Sequence, residues 1–256
     1  MIQVPLFRTI LLPLRSKNLA GNSIRTMSLL ANRLSAELYI SEFRNKDVVQ
    51  QLLAAIENFE ADLVVIASSQ FFGLQTQELI HQSPVPVLLL PDQREWAWDS
   101  VLVPMSGEIK QNSALEVAVS MANQLNIPVD VIHVAPSSVE AAQQCASCVV
   151  ESYTDHPHHE YPGRIEEFLA EAAPFTSTRE RAKIREVRLI AGDPAHEILV
   201  HSRMRDSSLI ILEWHGSIKK GRAATLRHLL RQPLFPVLLI RPATQQYQMK
   251  VTLIAA

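Results

Sequence analysis

The chain has 256 residues, 47% of them hydrophobic and 20% charged, with a formal net charge of −2. That length can bury one large core or two ordinary ones, and the near-neutral balance sets up no general field for nucleic acid or an anionic membrane surface. The apolar runs stay under about ten residues, too short to cross a bilayer, and Met1-Ile-Gln-Val-Pro5 lacks the basic start and long apolar stretch of a signal peptide; a cytoplasmic protein is expected.

Residues 9–14 form a short apolar run with Pro13 inside it, followed by a segment in which Ile24, Met27, Leu30, Ala31 and Leu34 recur at helical spacing. Strand then helix is the reading. Residues 37–40 suit a second strand, 47–58 an amphipathic helix (Val48, Leu52, Ala55, Ile56), 63–67 a buried strand and 86–90 another. These runs are apolar at nearly every position, which suits a parallel sheet covered on both faces; a sheet with one wet face would alternate.

The polar stretch 91–98, with Trp96 and Trp98, reads as a linker whose tryptophans pack between two domains. The pattern then restarts. Residues 101–105 are a strand, 112–125 a helix and 129–134 a strand. Residues 137–172 have no counterpart of equal length earlier, and 186–191 read as an added strand. Gly192-Asp-Pro marks a helix start, with Asp193 as its cap and Pro194 in its first turn. Strands at 209–212 and 236–240 close the pattern.

The two halves echo each other. Asp62-Leu-Val-Val-Ile-Ala67 leads to a proline-entered run ending at Leu90, and Ser208-Leu-Ile-Ile-Leu-Glu213 leads to another ending at Ile240. The openings match as well, Thr9-Ile-Leu-Leu-Pro-Leu14 against Ser100-Val-Leu-Val-Pro-Met105. The expected fold class is therefore α/β, two doubly wound parallel-sheet domains, with residues 1–91 as an abbreviated first copy, 92–99 as the linker, 100–242 as a complete second copy and 243–256 as a tail. The first copy is short by about one helix-sized segment between its second and third strands. In such folds ligands bind beyond the carboxyl ends of the strands. The last strands, at 87–90 and 237–240, are expected to pair with each other within the chain or across a homodimer, since an open apolar edge invites aggregation.

Cys145, Cys148, His156, His158 and His159 are the main cluster of metal-capable side chains. Zinc takes four nitrogen or sulfur ligands, and a two-residue gap lets both thiolates reach one ion, so Cys145, Cys148, His156 and His158 are the candidate zinc ligands. Cysteines three apart on a helix also simply face a core, and histidines in a proline-broken loop are ordinarily solvated. For redox work the pair stands too far from a strand end to begin a helix, where its thiol would be activated. No G-x-S-x-G, H-E-x-x-H or Walker loop is present. His196 and His201, five apart, do not share a helix face, and Glu197 fits its favourable place near a helix start. No catalytic residue is nominated, and a non-enzyme is expected.

The strand-proline openings, Gly192-Asp-Pro-Ala-His-Glu-Ile-Leu199 and the Pro-Val-Leu-Leu endings resemble the universal stress protein family over both copies. The resemblance implies adenine-nucleotide-hydrolase-like domains, frequent dimerisation through the last strand, and either ATP-binding or nucleotide-free forms. ATP binders are similar to one another at an acidic residue after the first strand and at a G-x-x-G, nine residues, G-S/T pattern after the fourth. Here the acidic position falls on Ser106, the first glycine on Glu213, and the final pair on Ala223-Ala224; Gly216 keeps its place and Gly221 is displaced. In the first copy those positions fall near Arg15-Ser16 and on a loop whose one glycine is Gly73. A glutamate facing triphosphate oxygens repels them, and Lys219, Lys220 and Arg222 offset that only in part.

The degenerate pocket that the resemblance outlines comprises Met105, Ser106, Val134, Gly192, Gly216, Lys219, Lys220 and Gly221. The expectation is a stress-response binding or regulatory protein that does not hold ATP in the family's manner and acts on a protein partner. Alternatives are a rebuilt pocket for another phosphate-bearing ligand, a soluble regulatory partner of a cation/proton antiporter, and a weak ATP hydrolase, the last needing Mg²⁺ and a phosphate cradle.

Overall fold

The computed structural model describes residues 6–15, 21–43, 47–67, 74–105, 113–135, 184–214, 224–231 and 234–241. The first half runs β1 (Thr9–Leu14), α1 (Gly21–Leu34), β2 (Glu37–Glu42), α2 (Val48–Asn58), β3 (Leu63–Ala67), α3 (Leu74–Gln82) and β4 (Val87–Leu90). The second runs β5 (Val101–Met105), α4 (Ser113–Leu125), β6 (Val129–Ala135), β7 (Ile184–Ala191), α5 (Pro194–Met204), β8 (Leu209–Glu213), α6 (Ala224–Arg231) and β9 (Val237–Ile240). Continuous apolar runs became the inner strands: β3, β4 and β9 are buried at every residue. The helical stripe of α1 buries Met27, Leu30, Ala31 and Leu34, as its spacing requires.

All the strands join one nine-stranded sheet in the order β2-β1-β3-β4-β9-β8-β5-β6-β7. Pairing is parallel within each half and antiparallel between β4 and β9. The order β2-β1-β3-β4 matches β6-β5-β8-β9 strand for strand, and the registers match too, with Ile10 beside Leu63 in one half and Val101 beside Leu209 in the other. Because the halves run antiparallel, their strands' carboxyl ends lie on opposite edges of the sheet.

Local devices repeat as well. Four helices end on a non-glycine residue with positive φ, Ser35 (54°) and Asn126 (57°) after α1 and α4, Glu60 (48°) and Asp206 (47°) after α2 and α5. In each case the next amide reaches back five residues to a helix carbonyl, as in Ala36 N–H to Ala31 O (2.9 Å) and Ser207 N–H to Ser202 O (2.9 Å), which satisfies a carbonyl that the helix end leaves open. Just before β3, the Asp62 carboxylate accepts from the backbone of Arg8 (2.8 Å) and Thr9 (3.1 Å). Before β8, Ser208 Oγ accepts from Asp99 (2.6 Å) and Ser100 (2.9 Å) and so ties down the start of β5 in the same way.

Among the described residues, α2 stands on the path from β2 to β3 as α5 stands before β8, and the strand with no counterpart in the first half is β7, so β2 is left at the end of the sheet with none of its residues buried. Residues 137–172, where the expected extra segment of the second copy falls, lie outside the described residues. Of the two expected pairings for the last strands, the one within the chain occurs, Val87 beside Leu239 and Leu89 beside Val237. The linker tryptophans are buried as expected: Trp96 donates to Pro91 O (2.9 Å) and packs its ring 6.0 Å from Phe235, while Trp98 donates to Thr26 O (3.1 Å) in α1.

Candidate functional site

In the second half the strand ends Glu213, Met105, Val134-Ala135 and Ala191 stand side by side along one sheet edge, on β8, β5, β6 and β7. Met105 and Val134 are buried there. His133 Nδ1 lies 2.9 Å from Met105 O; a carbonyl only accepts, so that nitrogen carries the proton. Gly192 follows β7 with φ +157°, and a Cβ on it would stand 2.8 Å from Glu197 Cγ. Glycine is what that turn requires. Asp193 Oδ1 then accepts from His196 N–H (2.8 Å), which makes the expected cap of α5.

The end of β8 differs from an open cradle. Glu213 is half-buried and sits in register with Ile240. The following amide, Trp214 N–H, is already used, donating to Ile240 O at 2.8 Å. The Trp214 side chain is buried, and its indole N–H has no hydrogen-bond partner among the described residues. His133 and Trp214 were missed by sequence reasoning: His133 hides in an apolar run, and Trp214 carries a signal only as the neighbour of Glu213.

Of the residues expected at the pocket, the fold brings Met105, Val134 and Gly192 to adjacent strand ends. Ser106, Gly216, Lys219, Lys220 and Gly221 lie outside the described residues, as do the proposed zinc ligands Cys145, Cys148, His156 and His158. On the opposite edge, at the end of β1, Arg15 stands where the resemblance places the acid of the first copy, and its guanidinium donates to Gln75 Oε1 in α3 (3.1 Å).

A second polar cluster lies near the amino ends of β6 and β7. Asp130 is 1% exposed and takes a two-pronged contact from Arg185, through Nε (2.9 Å) and Nη2, which raises the Arg185 pKa above its ordinary value. Glu186 pairs with Arg188 and Arg205. His201 of α5, as the five-residue spacing requires, turns inward while His196 stays exposed.

The universal stress protein family model matches residues 97–241, that is, the second half together with Trp98 of the linker. The chain belongs to the universal stress protein family. Universal stress protein YxiE of Bacillus subtilis is 26% identical over 149 residues, 56% of this chain and 99% of that protein. A Pseudomonas aeruginosa protein of unknown function has a solved structure that matches with a TM-score of 0.68 at 14% identity, covering 93% of this chain and 94% of that one. A universal stress protein from Archaeoglobus fulgidus matches at 0.61 and 16% identity, covering 93% and 97%. At these identities the structural matches carry the fold, which for this universal stress protein extends over both halves.

Proposed function

We propose that this universal stress protein works by binding rather than turnover, as a stress-response regulator whose second-half crevice does not take Mg-ATP in the family's manner. One observation carries the reading: the half-buried Glu213 carboxylate ends β8, and the amide after it is committed to Ile240. Phosphate cradles depend on free backbone N–H groups and on an absence of nearby negative charge. Here a carboxylate stands at the strand end, in a partly buried place where its repulsion of phosphate oxygens is poorly screened.

Isothermal titration of the full chain with Mg-ATP is expected to give no binding tighter than the millimolar range. Micromolar binding by the unaltered chain, weakened by Met105→Arg at the adjacent strand end, would overturn the reading.

A further inference from the structure

The sheet has two terminal strands, β2 and β7. In the second half the strand equivalent to β2 is β6, and β7 covers its outer side, in continuous register from Asp130↔Glu186 to Ala135↔Ala191. Among the described residues no strand covers β2. Leu29, Tyr39, Ile40 and Phe59, four of the six exposed large hydrophobic residues, lie on α1, on β2 and just past α2, the elements at this end of the sheet. The Tyr39 and Phe59 rings sit 4.8 Å apart. A strand edge that no described strand pairs, with apolar side chains on and beside it, marks a place where another strand adds.

The backbone restricts how one can add. Glu37 N–H donates to Arg8 O (2.8 Å) and Phe43 N–H to Leu14 O (2.9 Å), so the odd-numbered residues of β2 bond to β1. Leu38, Ile40 and Glu42 therefore present their N–H and C=O groups outward. In an antiparallel pair two outward-facing residues must stand opposite each other. For two copies of β2 this leaves two-fold axes at Leu38, Tyr39 or Ile40. An axis at Ile40 sets the Glu42 carboxylate against the partner's Leu38, and one at Leu38 sets Ile40 against the partner's Ala36. With the axis at Tyr39, Leu38 meets the partner's Ile40 twice, the two Tyr39 side chains meet, and Glu37 faces the partner's Ser41. No carboxylate then opposes another.

We propose that β2 is a docking edge for a second copy of this chain, paired antiparallel about a two-fold axis at Tyr39. The chain already joins its own halves through such a junction, the antiparallel β4–β9 ladder. β7 of another copy is the poorer occupant: a β2–β7 contact is head-to-tail and gives a ring or a filament instead of a two-fold dimer, and the charged groups of β7 are engaged with Asp130 and Arg205. The inference is independent of what the crevice binds.

Sedimentation velocity of the full chain, from micromolar to hundreds of micromolar, tests it. A concentration-dependent dimer is expected for the unaltered chain, and its loss in Ile40→Pro, which removes an outward N–H and leaves the β1–β2 ladder intact. In a Cys145→Ser, Cys148→Ser background, Tyr39→Cys is expected to oxidise to a covalent dimer, because residues on such an axis have Cα atoms about 4.5 Å apart. Ser41→Cys serves as the control, its two copies standing about 13 Å apart in this register. A monomer at every concentration, a dimer that survives Ile40→Pro, or equal cross-linking at both positions would each overturn the proposal.

Discussion

His201 is 4% exposed, and its Nε2 has no hydrogen-bond partner among the described residues. Burial pushes its pKa below the ordinary value; the Asp130 charge on β6 works against that, Arg188 on β7 and Arg205 past α5 work with it, and Glu186 on β7 opposes it. Folding therefore selects the neutral ring. The unfolded chain takes up the proton first as pH falls, so this contribution to stability is complete above the unfolded value, about 6.5, and is lost as pH drops through the folded one. Replacing His201 with Leu should flatten the fall in stability below about pH 6.5 by up to roughly 1.4 kcal/mol per pH unit, read from urea denaturation at several pH values. An unchanged slope would show that the ring is not the titrating group. Glu213 is the other residue on which much turns, since the nucleotide titration reads the consequence of a half-buried carboxylate at the end of β8.

At the scale of elements, the contact between α1 and α4 ties the halves together, and Arg33 is its centre. Its guanidinium donates to Ala97 O (2.9 Å), Trp98 O (3.0 Å) and Leu125 O (2.7 Å), spanning α1, the linker and the end of α4. No shorter or neutral side chain reaches three carbonyls on two segments at once. Arg33→Ala is expected to cost about 2–4 kcal/mol, since hydrogen bonds from a charged group are lost and partly buried carbonyls are left open. Chemical denaturation measures it, and a loss under about 0.5 kcal/mol would place Arg33 among ordinary surface residues. Strand β7 acts at the same scale. Its presence beside β6 and absence beside β2 make the two halves unequal, and the resulting open edge is where a second copy is expected to dock.

For the whole molecule, the decisive feature is that both halves share one sheet and one contiguous core, joined at the fully buried β4 and β9. Neither half can open without uncovering an apolar strand edge, so unfolding should be a single event. Tryptophan fluorescence, reporting on Trp96, Trp98 and Trp214, and far-ultraviolet circular dichroism should follow one coincident urea transition. Two separated transitions would mean that the halves are held together more weakly than the ladder implies. The antiparallel junction also turns the two strand-end crevices to opposite edges, so a ligand at one does not touch the other.

Much of this was legible in residues 1–91 and 98–242 as text. Apolar runs at every position specify buried parallel strands because only a sheet covered on both faces hides them, and Gly192-Asp-Pro specifies a helix start because its backbone and capping demands are local. The internal echo, and the family with it, was equally open to reading. Other features depend on residues far apart in the chain. That β4 pairs with β9, that β7 is the unmatched strand, that Arg33 reaches Leu125, and that the amide of Trp214 is spent on Ile240 were all decided by the tertiary structure. Periodicity records which face of a segment is apolar, whereas the partner that covers it is set by which long-range packing buries the most surface and leaves the fewest polar groups unpaired.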